Sequence, residues 1–159
     1  MEHRLTLLRA EVDKLLFECS RSEIRHFFHH LYGVSKFCAL LAIKRGVDAE
    51  LAAAAGLLHD IYQITHKSAE NHAEFGAPVA EKMLRAVGGY TDEEIAIITT
   101  AIARHSNKNV VHEPLDEVLK DADVLDHNLN SNDIFNTNRQ TERYVKTLIE
   151  LGCKAGINI

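Results

Sequence analysis

Apolar residues recur three or four positions apart along most of the chain, which is the spacing of an amphipathic α-helix. No segment shows the strict alternation of apolar and polar residues that is typical of a half-buried strand. The sequence therefore predicts an all-α fold, a compact bundle of about seven helices. The predicted helices cover residues 3–19, 23–45, 49–64, 69–87, 92–106, 115–127 and 139–152.

Several predicted helix ends have a local physical cause. Asp48 can cap the third helix, and Thr91 with Glu94 forms a capping box at the start of the fifth. Gly88 and Gly89 end the fourth helix, and Pro114 suits the first turn of the sixth. Residues 128–138 are rich in Asn, Ser and Asp, and we expect a loop there that borders the functional site.

Composition narrows the class of protein. A chain of 159 residues is most simply one domain over residues 1–159, and 46% hydrophobic residues suit a globular core. A formal net charge of -5 argues against general binding to nucleic-acid polymers or anionic membranes. Three scattered cysteines and an amphipathic N-terminal segment without a signal-peptide pattern favour a cytoplasmic protein with reduced thiols. The oligomeric state stays open.

The chemistry is suggested by polar side chains on otherwise apolar helix faces. The doublet His59-Asp60 follows the alanine-rich run Leu51–Leu58, and His30 precedes Val34 and Leu41 at helical spacing. Buried imidazole and carboxylate groups are costly without partners, and both are good ligands for divalent metals.

Three further groups follow the same pattern downstream. His72 shares a stripe with Val79 and Met83, His105 follows Ile98 and Ile102, and Asp123 shares a face with Leu119. Six such side chains on five predicted helices can converge on one point in a helical bundle. The six are His30, His59, Asp60, His72, His105 and Asp123.

At this point the sequence resembles a known family. A histidine in His30-Leu-Tyr-Gly-Val, the doublet in Gly56-Leu-Leu-His-Asp-Ile61 and an aspartate in Asp121-Ala-Asp-Val-Leu-Asp126 look like the HD-domain metal-dependent phosphohydrolases. The resemblance spans residues 26–127. It implies an all-α bundle, which agrees with the helical periodicity, and a first metal ion held by His30, His59, Asp60 and Asp123.

Two more segments extend the resemblance. His72-Ala-Glu-Phe-Gly-Ala77 and Ala101-Ile-Ala-Arg-His-Ser106 are similar to segments of subfamilies that bind two metals. The resemblance implies that Asp60 bridges to a second ion held by His72 and His105. Nitrogen and oxygen ligands without thiolate suit Mn, Fe, Co, Ni or Zn. Tyr62 and Ser106 depart from the cyclic-dinucleotide phosphodiesterases of the HD-GYP subfamily, which we therefore do not assign.

Metal-activated water implies a hydrolase for a small phosphorylated substrate, such as a nucleotide, a dinucleotide or another phosphate ester. On this hypothesis His59 and Asp60 are catalytic because they hold the metal that activates the water. Lys108 is the best candidate for binding phosphate, ahead of Arg104, Lys67 and Arg139, because it follows His105 closely. Two alternatives remain open: a mixed-valent di-iron oxygenase with the same six ligands, and a metal-binding sensory or scaffold module without turnover.

Other polar residues close to these six in the sequence are predicted to support the site or to lie at the surface. Asp126 is expected to accept a hydrogen bond from a ligand histidine and so orient it. Asp121 is expected to face solvent beside Lys120. We expect surface or supporting positions for the other histidines, which include His26, His29, His66, His112 and His127.

Overall fold

The computed structural model describes residues 3–130 and 140–153. Within these ranges the chain forms helices and no strand, so the all-α prediction is confirmed. None of these helices is long and apolar enough to cross a membrane. The helices are α1 (Arg4–Phe17), α2 (Arg21–Arg45), α3 (Ala49–Leu58), α4 (Ile61–His66), α5 (His72–Val87), α6 (Asp92–Arg104), α7 (Pro114–Asn130) and α8 (Gln140–Glu150).

Helix α3 lies at the centre of the bundle. Every residue from Leu51 to Leu58 is buried, so this helix is apolar on all sides, as a central helix must be. The long helix α2 packs along α3 and also along α7, while α5 and α6 pair with each other. Helix α1 covers α3 and α5, and α8 packs against α7. The core therefore surrounds the chain segment that leads into His59 and Asp60.

The predicted third helix, 49–64, is wrong in one respect: it is two helices. Helix α3 ends at Leu58 and α4 begins at Ile61, with Asp60 at φ -106° and ψ 16° between them. Consecutive residues of an unbroken α-helix point about 100° apart around its axis, so adjacent side chains cannot face one point. The break lets His59 and Asp60 aim at the same centre. The apolar run on both sides conceals it in the sequence.

The predicted caps of Asp48 and Thr91 are confirmed. Asp48 Oδ1 accepts hydrogen bonds from the N–H groups of Glu50 and Leu51, and Thr91 with Glu94 forms a reciprocal capping box. The predicted loop over 128–138 begins later than expected, because α7 continues through Asn130. Residues 131–138 lie outside the described residues, as does Arg139.

Helices α2 and α3 approach each other closely at Gly56. A Cβ atom there would lie 2.9 Å from Cys38 Sγ and 2.9 Å from the Ser35 Cα atom. Ser35 also donates a hydrogen bond of 2.9 Å from Oγ to the carbonyl of Ala53. Because backbone atoms cannot move aside cheaply, this contact requires glycine.

We predict that Gly56→Ala lowers the free energy of unfolding by about 1–2 kcal/mol through overpacking. Gly76→Ala is the matched control. Gly76 is also buried in a helix, but a Cβ there would meet its nearest atoms at 3.6 Å, an ordinary contact. The control should leave stability unchanged or raise it by up to about 1 kcal/mol through helix propensity. Urea unfolding followed by circular dichroism measures both, and equal midpoints would contradict the close approach.

Candidate metal centre

The structure brings all six predicted side chains together at one end of α3. His30 comes from α2, His59 and Asp60 from the break between α3 and α4, and His72 from the first residue of α5. His105 is the C-cap of α6, and Asp123 lies in α7. His59 and His105 are buried, and the other four side chains are largely buried, with exposed fractions of 11–23%.

Four of these side chains form the first half of the cluster. His30 Nε2 lies 3.1 Å from His59 Nε2, 3.6 Å from Asp60 Oδ2 and 3.4 Å from Asp123 Oδ1. His59 Nε2 lies 3.4 Å from Asp60 Oδ2 and 3.7 Å from Asp123 Oδ1. Two nitrogens and two carboxylate oxygens therefore surround one small space.

The second half uses the other oxygen of Asp60. Asp60 Oδ1 lies 3.2 Å from His72 Nε2 and 3.7 Å from His105 Nε2, and these two nitrogens are 3.2 Å apart. The carboxylate of Asp60 thus spans the two halves, with one oxygen directed to each. Ser106 Oγ stands at the edge, 3.4 Å from His72 Nε2.

The orientation of all four histidines is fixed from behind. His30 Nδ1 pairs with Asp126 Oδ2 at 2.8 Å, as expected from the sequence. The other three Nδ1 atoms donate to backbone carbonyls, of Gly56, Ala69 and Ile102, at 2.7–2.9 Å. Because Nδ1 carries the hydrogen in each case, the neutral rings present Nε2 lone pairs to the centre.

Lone pairs and carboxylates that face one another require a positive charge. Burial lowers the pKa of His30, but hydrogen bonding to Asp123 and Asp126 outweighs it and raises this pKa to about 10. Interaction with the Asp60 carboxylate likewise raises the pKa of His72. Burial and the adjacent His59 lower the pKa of His105 to about 3, so this ring stays neutral. Without a metal, each half of the cluster therefore attracts a proton, and a bound cation must displace it.

The donor set fits divalent metal ions. Ligand atoms that share one ion at about 2.0–2.2 Å lie about 3.0–3.6 Å apart, close to the separations in both halves. Asp60 Oδ1 is buried and has no donor aligned for a hydrogen bond among the described residues, which leaves a lone pair for a cation. The distances place His30, His59, Asp60 and Asp123 around one possible ion. Asp60, His72 and His105 could hold a second, and a third set, His59, His105 and Asp123, overlaps both.

A comparison with known families agrees with this geometry. The family model of the HD domain matches residues 27–128, most of the chain and all six side chains of the cluster. This chain belongs to the HD-domain family. HD domains bind divalent metals, and the cluster is the place where this one could do so.

Curated relatives include several proteins named Ribonuclease Y. The protein of Enterococcus faecalis is 30% identical over 102 residues, which are 64% of this chain and 18% of the relative. That of Aquifex aeolicus is 32% identical over 115 residues, 72% of this chain and 19% of the relative. That of Clostridium tetani is 35% identical over 101 residues. This chain thus spans less than a fifth of their length. No solved structure matches it.

The loop between α6 and α7 places Lys108 beside the HD-domain cluster. Lys108 Nζ bonds to Asp123 Oδ2 at 2.5 Å, while the other oxygen, Oδ1, lies 3.4 Å from His30 Nε2 and 3.7 Å from His59 Nε2. The other candidate cations are engaged elsewhere: Arg104 pairs with Asp116, and Lys67 contacts Glu23 and Cys19. Of the three candidates for phosphate binding that the structure describes, Lys108 is therefore the one that lies at the cluster.

Two charged residues that sequence reasoning missed hold this loop. Lys120 is fully buried, and its Nζ donates to the Val110 carbonyl at 2.8 Å and contacts His112 Nδ1 and Glu117 Oε1. Arg143 of α8 donates to the Lys108 carbonyl at 3.1 Å. These contacts join α7 and α8 to the loop and so fix the backbone that carries Lys108.

The expectation that Asp121 faces solvent is wrong. Asp121 is 8% exposed and pairs with Arg45 of α2 and Arg143 of α8. Asp121 follows Glu117 by four residues on α7, and this spacing indicates that the two carboxylates share one helix face. The arginines that contact them lie far away in the sequence, so these ion pairs could not be predicted from it.

We predict that Asp126→Ala weakens binding of the first ion by about 10–100-fold, because His30 loses the partner that orients its ring. Asp116→Ala is the control, since Asp116 is a buried carboxylate on the same helix that pairs with Arg104 instead. Titration with Mn²⁺ measures both affinities. Equal affinities in the two variants would show that Asp126 does not support the centre.

We predict that His72→Ala reduces the bound metal from about two ions per chain to about one, because the second half of the cluster keeps only two ligands. Elemental analysis after equilibration with excess Mn²⁺ or Fe²⁺ gives the ratio. His66→Ala, an exposed histidine of α4, should leave the ratio unchanged. A parent protein that never binds more than one ion would contradict the two-ion arrangement.

Proposed function

We propose that this HD-domain chain is a metal-dependent phosphohydrolase that uses two divalent transition-metal ions, among Mn, Fe, Co, Ni and Zn, to hydrolyse small phosphate esters such as nucleotides or dinucleotides. One observation carries the proposal. Both oxygens of the buried Asp60 carboxylate are directed to separate groups of histidine Nε2 atoms, at 3.2–3.7 Å. A carboxylate shared in this way suits a pair of ions that act on one phosphate.

The bound ions would supply a hydroxide nucleophile near neutral pH and would neutralise charge that develops on the phosphoryl oxygens. The protein contributes preorganisation. Four fixed Nδ1–H groups prevent the imidazoles from rotating, and the apolar residues of α3 and α6 behind His59 and His105 exclude water from that side. The more exposed edge, at His72 and Asp123, is where a substrate can approach.

Lys108 is proposed to bind the substrate phosphate. An ammonium group has three N–H donors, and the bond to Asp123 uses one of them. The other two remain for phosphate oxygens without breaking that bond. Arg143 and Lys120 hold the loop, so Lys108 approaches the phosphate from a rigid backbone.

RNA is a second candidate substrate, favoured by the name of the curated relatives. A formal net charge of -5 works against it, because binding a nucleic-acid polymer depends on many cationic contacts to phosphates. The small phosphate ester is therefore the leading substrate class. Location in the cytoplasm, where nucleotides are abundant, stays a prediction.

The test is a panel of nucleoside monophosphates, dinucleotides and short RNA, assayed with metal-loaded protein and with Asp60→Ala. We predict that the parent protein hydrolyses a small ester, measured as phosphate release from a monophosphate or as nucleotide products from a dinucleotide. Asp60→Ala should be at least about 1000-fold slower, because both ion sites lose a shared ligand. Asp92→Ala, an exposed carboxylate of α6, is the control and should retain full activity.

Each other outcome points to a different function. Cleavage of RNA but of no small ester would show that RNA is the substrate. Bound iron with oxygen consumption and no hydrolysis of any phosphate ester would indicate an HD-fold oxygenase. Metal binding without turnover of any substrate would indicate a binding module, and full activity of Asp60→Ala would refute the assigned centre.

A further inference from the structure

A groove of about 510 Å³ lies between α2 and α7 and includes one residue of the metal cluster, His30. Asp126, which orients His30, also lines it. The rest of the groove lining consists of Ser22, Arg25, His26, His29, His127 and Asn130. A cavity of this volume has the size of a small-molecule site.

The helical register places part of the groove lining one turn from two of the cluster ligands. His26 precedes His30 by four residues, and the two rings stack with centroids 6.1 Å apart. His127 follows Asp123 by four residues on α7, so it lies one turn beyond that carboxylate on the same face. Arg25 and His29 form a second row along α2. A substrate with its scissile phosphate at the cluster can therefore reach this groove past His26 and His127.

The groove is lined by donors that the fold does not use. Arg25, His26, His29 and His127 are exposed, and none makes a hydrogen bond or ion pair with the residues that the structure describes. The carboxylate in the groove, Asp126, is engaged by His30 Nδ1. The planar guanidinium of Arg25 can bind phosphate in a bidentate manner.

We propose that this groove binds a second phosphate group of the substrate, and that Arg25 is the residue that recognises it. The inference rests on the proposed function and narrows the substrate class to compounds with two separated phosphates, such as a dinucleotide with a terminal phosphate. Arg25 precedes His30 by five residues, which is about 7.5 Å along the axis of α2. The backbone positions of the two residues are therefore more than one helical turn apart, which suits two phosphates that are separated in the substrate.

Binding of phosphonates tests this inference without turnover, because a C–P bond resists hydrolysis. Hexane-1,6-diphosphonate and hexylphosphonate differ by one anionic group. In the diphosphonate, the six-carbon chain separates the two phosphonates by a distance comparable to the length of the groove. Calorimetry with Mn²⁺-loaded protein gives the ratio of the two affinities, and elemental analysis shows that the metal is retained. We expect the parent protein to bind the diphosphonate about tenfold more tightly or better.

The substitution Arg25→Gln should reduce this preference to about twofold or less, and Arg25→Lys should keep part of it because the charge remains. Arg21→Gln is the matched control: Arg21 is an exposed arginine one turn earlier on α2 and does not line the groove. This control should show the same preference as the parent protein.

Three outcomes would overturn the inference: no preference in the parent protein, an unchanged preference in Arg25→Gln, or no binding of either phosphonate. None of these depends on turnover. A preference that Arg25→Gln abolishes, in a protein that hydrolyses no phosphate ester, would leave the groove assignment standing while the proposed function fails.

Discussion

The structure depends on one electrostatic constraint: four imidazole lone pairs and two carboxylates face each other in a space that only a cation can satisfy. The four Nδ1–H groups are held by Asp126 and by three backbone carbonyls, so the rings cannot turn their lone pairs away. The raised pKa of His30 shows the same demand for positive charge, since a proton is the smallest cation available there. Much of the surrounding architecture serves this arrangement.

The break between α3 and α4 is the backbone part of that architecture. It interrupts a helix in the middle of the core, but it directs His59 and Asp60 to the same centre. Gly33 of α2 is a second example. A Cβ atom there would overlap the Asp126 carboxylate, so the absence of a side chain leaves room for the group that orients His30.

The helices and the six cluster residues could be predicted from the sequence because each obeys a local rule. Helical periodicity assigned inward faces, and a polar residue such as His105 on a stripe of isoleucines is conspicuous. The break at Asp60 could not be predicted, since the apolar pattern continues through it. The burial of Lys120 and Asp121 was equally hidden, because their partners lie in the loop before α7 and in α2 and α8. Such charge networks exist only after the chain has folded.

We propose that the cluster holds two ions and that Asp60 is a ligand of both. Anomalous diffraction from crystals equilibrated with Mn²⁺ tests it most directly, because the signal locates the metal independently of any assay. The account predicts two peaks, one bonded to His30, His59, Asp60 and Asp123, and the other to Asp60, His72 and His105. A single peak would remove the bridging role of Asp60, and the absence of any peak in the cluster would contradict the account.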